Sequence, residues 1–168
     1  MATFIKIAQT EVGSGGASSI DFTVIPSTYT DLVVKVSARF SASASYGYAV
    51  LAFNGSSSNF SIKGLYGPGS GSGGTYTSPS NYFGEIVGNT ATASTFSNSE
   101  LYIANYAGST NKSWSVDAAG ENNATLAQMN FTAGLWSQTA AINQVTISPQ
   151  SGTFLQYTTA YLYGVKNA

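Results

Sequence analysis

The chain has 168 residues, no His, no Cys and a formal net charge of −1. These absences exclude imidazole and thiolate catalysis, Cys- or His-ligated metals and disulfides. Six Lys and Arg against seven Asp and Glu are too balanced for an electrostatic nucleic-acid surface.

No run of about 18 apolar residues is present, so no transmembrane helix or membrane insertion is expected. The first twelve residues, MATFIKIAQTEV, lack the long apolar core of a signal peptide. Hydrophobic residues are 43% and aromatics 13%, which argues for an ordered chain. Ser and Thr make up about a quarter of it, with 18 Gly. That mixture favours strands and turns over helices.

Strand signals begin by residue 3. Ile20, Phe22 and Val24 alternate with Asp21 and Thr23. Leu32, Val34, Val36 and Ala38 then share a face, with Lys35, Ser37 and Arg39 opposite. Residues 48–53 are apolar on both faces and read as a sandwiched strand. Asn54-Gly55 is a strong hairpin signal, and it leads into a strand over 59–66 with Phe60 and Ile62. Residues 67–80 read as a mobile Gly-rich loop without strand pattern.

Strand signals resume at 82–87, 95–106 and 112–119, where Trp114, Val116 and Ala118 alternate with Ser113, Ser115 and Asp117. In 124–133, Thr125, Ala127, Met129 and Phe131 share a face. A helical turn is predicted over 134–141, and strands over 142–148 and 153–165. Leu155, Tyr157, Thr159, Tyr161, Tyr163 and Val165 share a face of the last. About ten short, evenly spaced strands predict one all-β domain over 1–168. The expected form is a two-sheet antiparallel β-sandwich of jelly-roll-like type.

Motifs with chemistry are weak. Gly13-Ser14-Gly15-Gly16 and the 67–74 stretch lack the Gly-Lys-Ser/Thr ending of a phosphate loop, and read as turns. Ser109-Thr110-Asn111-Lys112 has the Ser-x-x-Lys spacing of penicillin-recognising enzymes, but lies between strands and reads as a turn. Glu85, Glu100, Asp117 and Glu121 are the candidates for a glycosidase pair. All but Glu121 sit in strand alternation beside polar neighbours, the pattern of a solvent face. No catalytic, cofactor or metal site is predicted. Asn-x-Ser/Thr sequons at Asn54, Asn59, Asn111, Asn123 and Asn130 match chance in so Asn-, Ser- and Thr-rich a chain.

The aromatics carry more. Phe22, Phe53, Phe60, Trp114 and Phe131 are assigned to the core. Tyr66, Tyr76 and Tyr82 flank or lie in the Gly-rich loop, where an exposed tyrosine suits a sugar ring or a protein interface. Packing on their own domain is the simpler account of them.

The segments GSGGASSIDFTVIPSTYTDLVVKVSAR (13–39), FNGSSSNFS (53–61) with LYG (65–67), GLWSQTAAINQVTIS (134–148) and FLQYTTAYLYGVKNA (154–168) resemble small virion surface proteins of tailed bacteriophages. The resemblance implies a structural, non-enzymatic component: a capsid decoration (cement) protein, a head fibre or a tail-fibre tip. It implies assembly in the host cytoplasm and residence in the virion. The leading expectation is a homotrimer that clamps the outer face of the major capsid protein shell through multivalent contacts. Tyr157, Tyr161 and Tyr163 are candidates for intersubunit packing, with core packing as the simpler account. The alternative is a tail or fibre module that recognises host surface glycan through Tyr66, Tyr76 and Tyr82.

Overall fold

The computed structural model describes residues 2–69, 71–78, 80–121 and 127–166. Among these the chain is all-β, with twelve strands: β1 Thr3–Glu11, β2 Ile20–Phe22, β3 Asp31–Ala38, β4 Tyr46–Phe53, β5 Phe60–Gly67, β6 Gly74–Ser78, β7 Tyr82–Val87, β8 Ser97–Ile103, β9 Lys112–Glu121, β10 Ala127–Trp136, β11 Val145–Pro149 and β12 Thr159–Lys166. They form two antiparallel sheets. The larger runs β1-β12-β3-β8-β9-β10-β5-β6, and the smaller runs β2-β11-β4-β7.

The orders have a simple origin. The pairs β1·β12, β2·β11, β3·β8 and β4·β7 are the rungs of one long hairpin. That ribbon is rolled so that β12 also pairs with β3 and β11 with β4. Rolling sends alternate rungs to opposite sheets, which is the jelly roll. Two strand pairs are added to this frame. β5 and β6 lie between β4 and β7 in the chain, and β9 and β10 between β8 and β11; all four extend the larger sheet beyond β8.

The core follows the predicted alternation except at Val24, which lies beyond the end of β2 at positive φ and is exposed instead of sharing the buried face of Ile20 and Phe22. Leu32, Val34, Val36 and Ala38 of β3, Leu101 and Ile103 of β8, and Trp114, Val116 and Ala118 of β9 are buried on the inner face of the larger sheet. Ile20, Phe22, Leu51, Phe53, Phe83, Ile86, Val145 and Ile147 answer them from the smaller sheet. Burying each Val, Leu, Ile or Phe among them stabilises the fold by about 1.5–3 kcal/mol before entropy is counted. Phe53, Phe60, Trp114 and Trp136 form an aromatic cluster, with ring centroids 5.3–6.3 Å apart.

Several expectations are corrected. Asn54-Gly55 does form a tight turn, with both residues at positive φ and Phe53 and Ser56 exchanging backbone hydrogen bonds. It does not join a hairpin. β4 enters the smaller sheet and β5 the larger, because Asn54 ties the turn to a different segment. Its Nδ2 donates to the Ala141 carbonyl at 2.8 Å, and its Oδ1 accepts from the Asn143 and Gln144 backbone.

The segment 67–80 is not loop throughout. β6 occupies 74–78 and pairs with β5, its alternation hidden by Gly, Ser and Thr; Ser70 and Pro79 lie outside the described residues. The helical turn over 134–141 is absent. β10 continues to Trp136, whose ring joins the aromatic cluster, and no helix follows.

Phe131 is not core. It is 43% exposed, and the face it shares with Ala127 and Met129 points to solvent, while Asn130 and Thr132 are buried. Thr125 lies outside the described residues. Arg39, predicted on the outer face of β3, is buried at its end. Its guanidinium donates to the carbonyls of Thr92, Thr95, Asn89 and Ala91 at 2.7–3.2 Å.

Candidate functional site

β7 is an edge strand of the smaller sheet, and its free side meets the added strands of the larger one. On β4, Ala49, Leu51 and Phe53 point into the core, so Tyr46 and Tyr48 point away from it. Glu85 stands opposite Tyr48 in the β4·β7 register and shares that outward face. The strand alternation of Glu85 is therefore as expected, but solvent does not cover it. Residues of β5, β6 and β10 line the same space, and Glu85 is only 5% exposed.

The result is a cleft of about 380 Å³. One wall carries Tyr46, Tyr48 and Tyr82. The rings of Tyr48 and Tyr82 stack with centroids 5.2 Å apart and 11° between planes, and Tyr46 meets Tyr48 edge-on at 6.4 Å. The other wall carries Tyr66 and Tyr76, with centroids 6.5 Å apart. Gln128 and Asn130 of β10 complete the lining with Glu85.

Tyr76 is held firmly. Its hydroxyl donates to Asn130 Oδ1 at 2.9 Å and lies 2.7 Å from Thr132 Oγ1, which itself donates to Asn130. With its amide nitrogen turned toward Glu85, Gln128 donates to both carboxylate oxygens, at 2.6 and 3.1 Å. That orientation is the one in which donors face acceptors.

Electrostatics follow from burial. Desolvation pushes the Glu85 carboxyl up to about 7. Burial raises the Tyr48 phenol to about 12, with the nearby Glu85 charge adding to it. Among the described residues, no Lys or Arg forms an ion pair with Glu85.

All three tyrosines singled out in the sequence, Tyr66, Tyr76 and Tyr82, converge on this cleft. Tyr46, Tyr48 and Glu85 were not assigned to it. Tyr46 and Tyr48 carry the two-residue spacing of one strand face, a signal that could have placed them together. The second trio does not converge in the same way. Tyr161 and Tyr163 are half-buried on the outer face of β12, where Ala160 and Leu162 supply the core contacts. Tyr157 precedes β12, is exposed, and lines a shallow depression with Gly15, Gly16 and Arg39.

Three of the remaining candidates, Gly13–Gly16, Lys112 and Glu100, are engaged in contacts within the fold. Gly13–Gly16 is a tight turn closed by the Gly16 amide on the Gly13 carbonyl. The donors of nearby Arg39 are committed to carbonyls, so they are not presented to a phosphate. Lys112 is fully buried, and its ammonium donates to the carbonyls of Gly108, Thr110 and Thr139. Glu100 pairs with Lys35 at 2.7 Å on the exposed sheet face. Asp117 lies on the outer face of β9, opposite Phe131. The side chain of Glu121 lies outside the described residues. Among the described residues that line the cleft, Glu85 is the one carboxylate, and the described residues assemble no glycosidase pair there.

No protein-family model matches the chain, and no curated protein or solved structure does.

Proposed function

We propose that this protein is a non-enzymatic binding module that recognises a saccharide-bearing surface polymer in the tyrosine cleft. The observation that carries the reading is the convergence of five tyrosines from two sheets on one pocket with Glu85, Gln128 and Asn130. Flat amphipathic rings flanked by a few fixed polar groups are suited to sugar rings, which present apolar faces and hydroxyl rims. The resemblance to phage virion surface proteins supports placement on a phage particle without separating head from tail; the cleft favours a tail or fibre component. Host surface glycan is then the natural ligand. The test is competition: free protein added to cells should block phage adsorption, and Tyr82→Ala should abolish the block. Undiminished adsorption with excess free protein would overturn the reading.

A second reading, the trimeric capsid decoration protein, is favoured by a different feature. On the outer face of β10 and β5, Met129, Phe131 and Leu135 are exposed at alternate positions, and exposed Leu65 stands directly opposite Phe131. An exposed apolar cluster of this kind is characteristic of protein–protein contact surfaces. This reading expects many copies on purified capsids and heads that burst more easily without the protein.

A further inference from the structure

The cleft has an electrostatic imbalance that a neutral sugar would not relieve. Its floor holds a buried carboxylate, and its walls hold aromatic rings whose faces are electron-rich. A carboxylate taken out of water is costly unless a cation or several hydrogen bonds compensate it; without them Glu85 holds a proton up to about 7, and a bound cation would favour its ionised form. Among the described residues, Gln128 donates to Glu85 and no Lys or Arg pairs with it. The available space, about 380 Å³, accommodates a small head group together with part of a sugar ring.

Tyrosine faces and a carboxylate act on the same kind of ligand. Ring quadrupoles attract a cation within about 6 Å of the ring centre, most strongly where water is excluded. An alkylammonium group also answers the Glu85 charge directly. It needs no directional hydrogen bond if it is methylated, which suits walls made of rings. Anionic sugars are disfavoured by the same arithmetic, because they would bring a second negative charge beside Glu85.

We propose that the cleft is selective for a compact organic ammonium group carried on the surface polymer, held between the tyrosine rings and balanced by Glu85. This rests on the reading of the cleft as the polymer-binding site and narrows its ligand class. A neutral glycan is the competing occupant.

The experiment is a calorimetric titration of the full chain with choline, glucosamine, N-acetylglucosamine and methyl glucoside, at a pH just above 7 where Glu85 is largely ionised and the sugar amine is still substantially protonated. It is run on the native protein, Glu85→Gln and Tyr82→Leu, with circular dichroism to establish that each variant is folded. Choline and glucosamine should bind and the two neutral sugars should bind at least tenfold more weakly. Glu85→Gln should weaken choline binding about tenfold or more, Tyr82→Leu several-fold, and added salt should weaken it in the native protein. Equal binding of choline by native protein and folded Glu85→Gln would overturn the proposal, and so would absence of choline and glucosamine binding. Neutral sugars bound equally by both proteins would refute ammonium selectivity and leave the polymer-binding reading standing. Choline bound in the cleft of a protein that leaves phage adsorption untouched would refute that reading alone.

Discussion

The ring of Tyr76 lies directly over Gly64 of the neighbouring strand, so close that a Cβ at position 64 would overlap it. Gly64 thus provides the seat for one wall of the cleft. Gly64→Ala should displace Tyr76 from Asn130 and Thr132 and weaken ligand binding more than tenfold. Tyr76→Phe keeps the ring and removes the hydroxyl, leaving the buried Asn130 and Thr132 one partner short. That should cost about 1–2 kcal/mol of stability, read by urea denaturation. Unchanged binding in a folded Gly64→Ala variant would show that the seat is dispensable.

Glu85 gives the protein a pH signature. In the unfolded chain its carboxyl ionises near its ordinary value, whereas the folded state keeps the proton up to about 7. Between those values the unfolded state binds fewer protons, so stability falls as pH rises and levels off above 7. Facing Glu85 are the cleft tyrosines and Gln128. Glu85→Gln removes this slope. Relative to the native protein it should gain about 1–2 kcal/mol between pH 5 and pH 8, a few degrees in Tm. Parallel melting curves for the two proteins over that range would contradict the assignment.

These two residues mark what the sequence makes legible. Alternation alone placed Ile20, Leu32 and Trp114 correctly, because their neighbours on the same face are also apolar. For Glu85 the same alternation identified the face and missed the burial. Burial there depends on β5, β6 and β10, which arrive from elsewhere in the chain. Phe131 failed for the opposite reason. Met129 and Phe131 look like an inner face, yet the inner positions are Asn130 and Thr132, whose hydrogen bonds with Tyr76 satisfy them in place of apolar packing. β6 was hidden because its residues, Gly74 to Ser78, carry turn composition, and its pairing comes from β5.

Arg39 ties down the segment between β7 and β8, together with the Asn89 and Thr90 amides that donate to the Ala42 and Ala44 carbonyls. Its four donated hydrogen bonds satisfy carbonyls at 89, 91, 92 and 95. Arg39→Met retains much of the apolar stem and none of the donors. A loss of about 2–4 kcal/mol is expected in chemical denaturation. Proteolysis within 89–95 should accelerate as well. Resistance equal to that of the native chain would show that the segment is held by other contacts.

The outer apolar patch makes a separable prediction. Phe131→Ser should change monomer stability by no more than about 0.5 kcal/mol, since the ring is exposed. Trp136→Ala, in the aromatic cluster, should cost about 3–5 kcal/mol. If the patch mediates self-association or capsid attachment, Phe131→Ser lowers the sedimentation coefficient or the copy number on heads at unchanged fold. An unaltered assembly state would remove the specific support for the decoration reading.

The rolled hairpin also sets an order of events during synthesis. β1 finds its partner only in β12, and β3 is flanked by β12 and β8. The larger sheet therefore cannot zip up from its beginning, and most of its rungs join residues far apart in sequence. Folding through such distant pairings is slow, and unpaired strand edges stay open meanwhile. The low hydrophobicity of β6 and the polar residues along β1 then act before the native state exists. They discourage β1 and β6, which remain the two edges of the larger sheet after β12 has docked, from recruiting neighbouring chains.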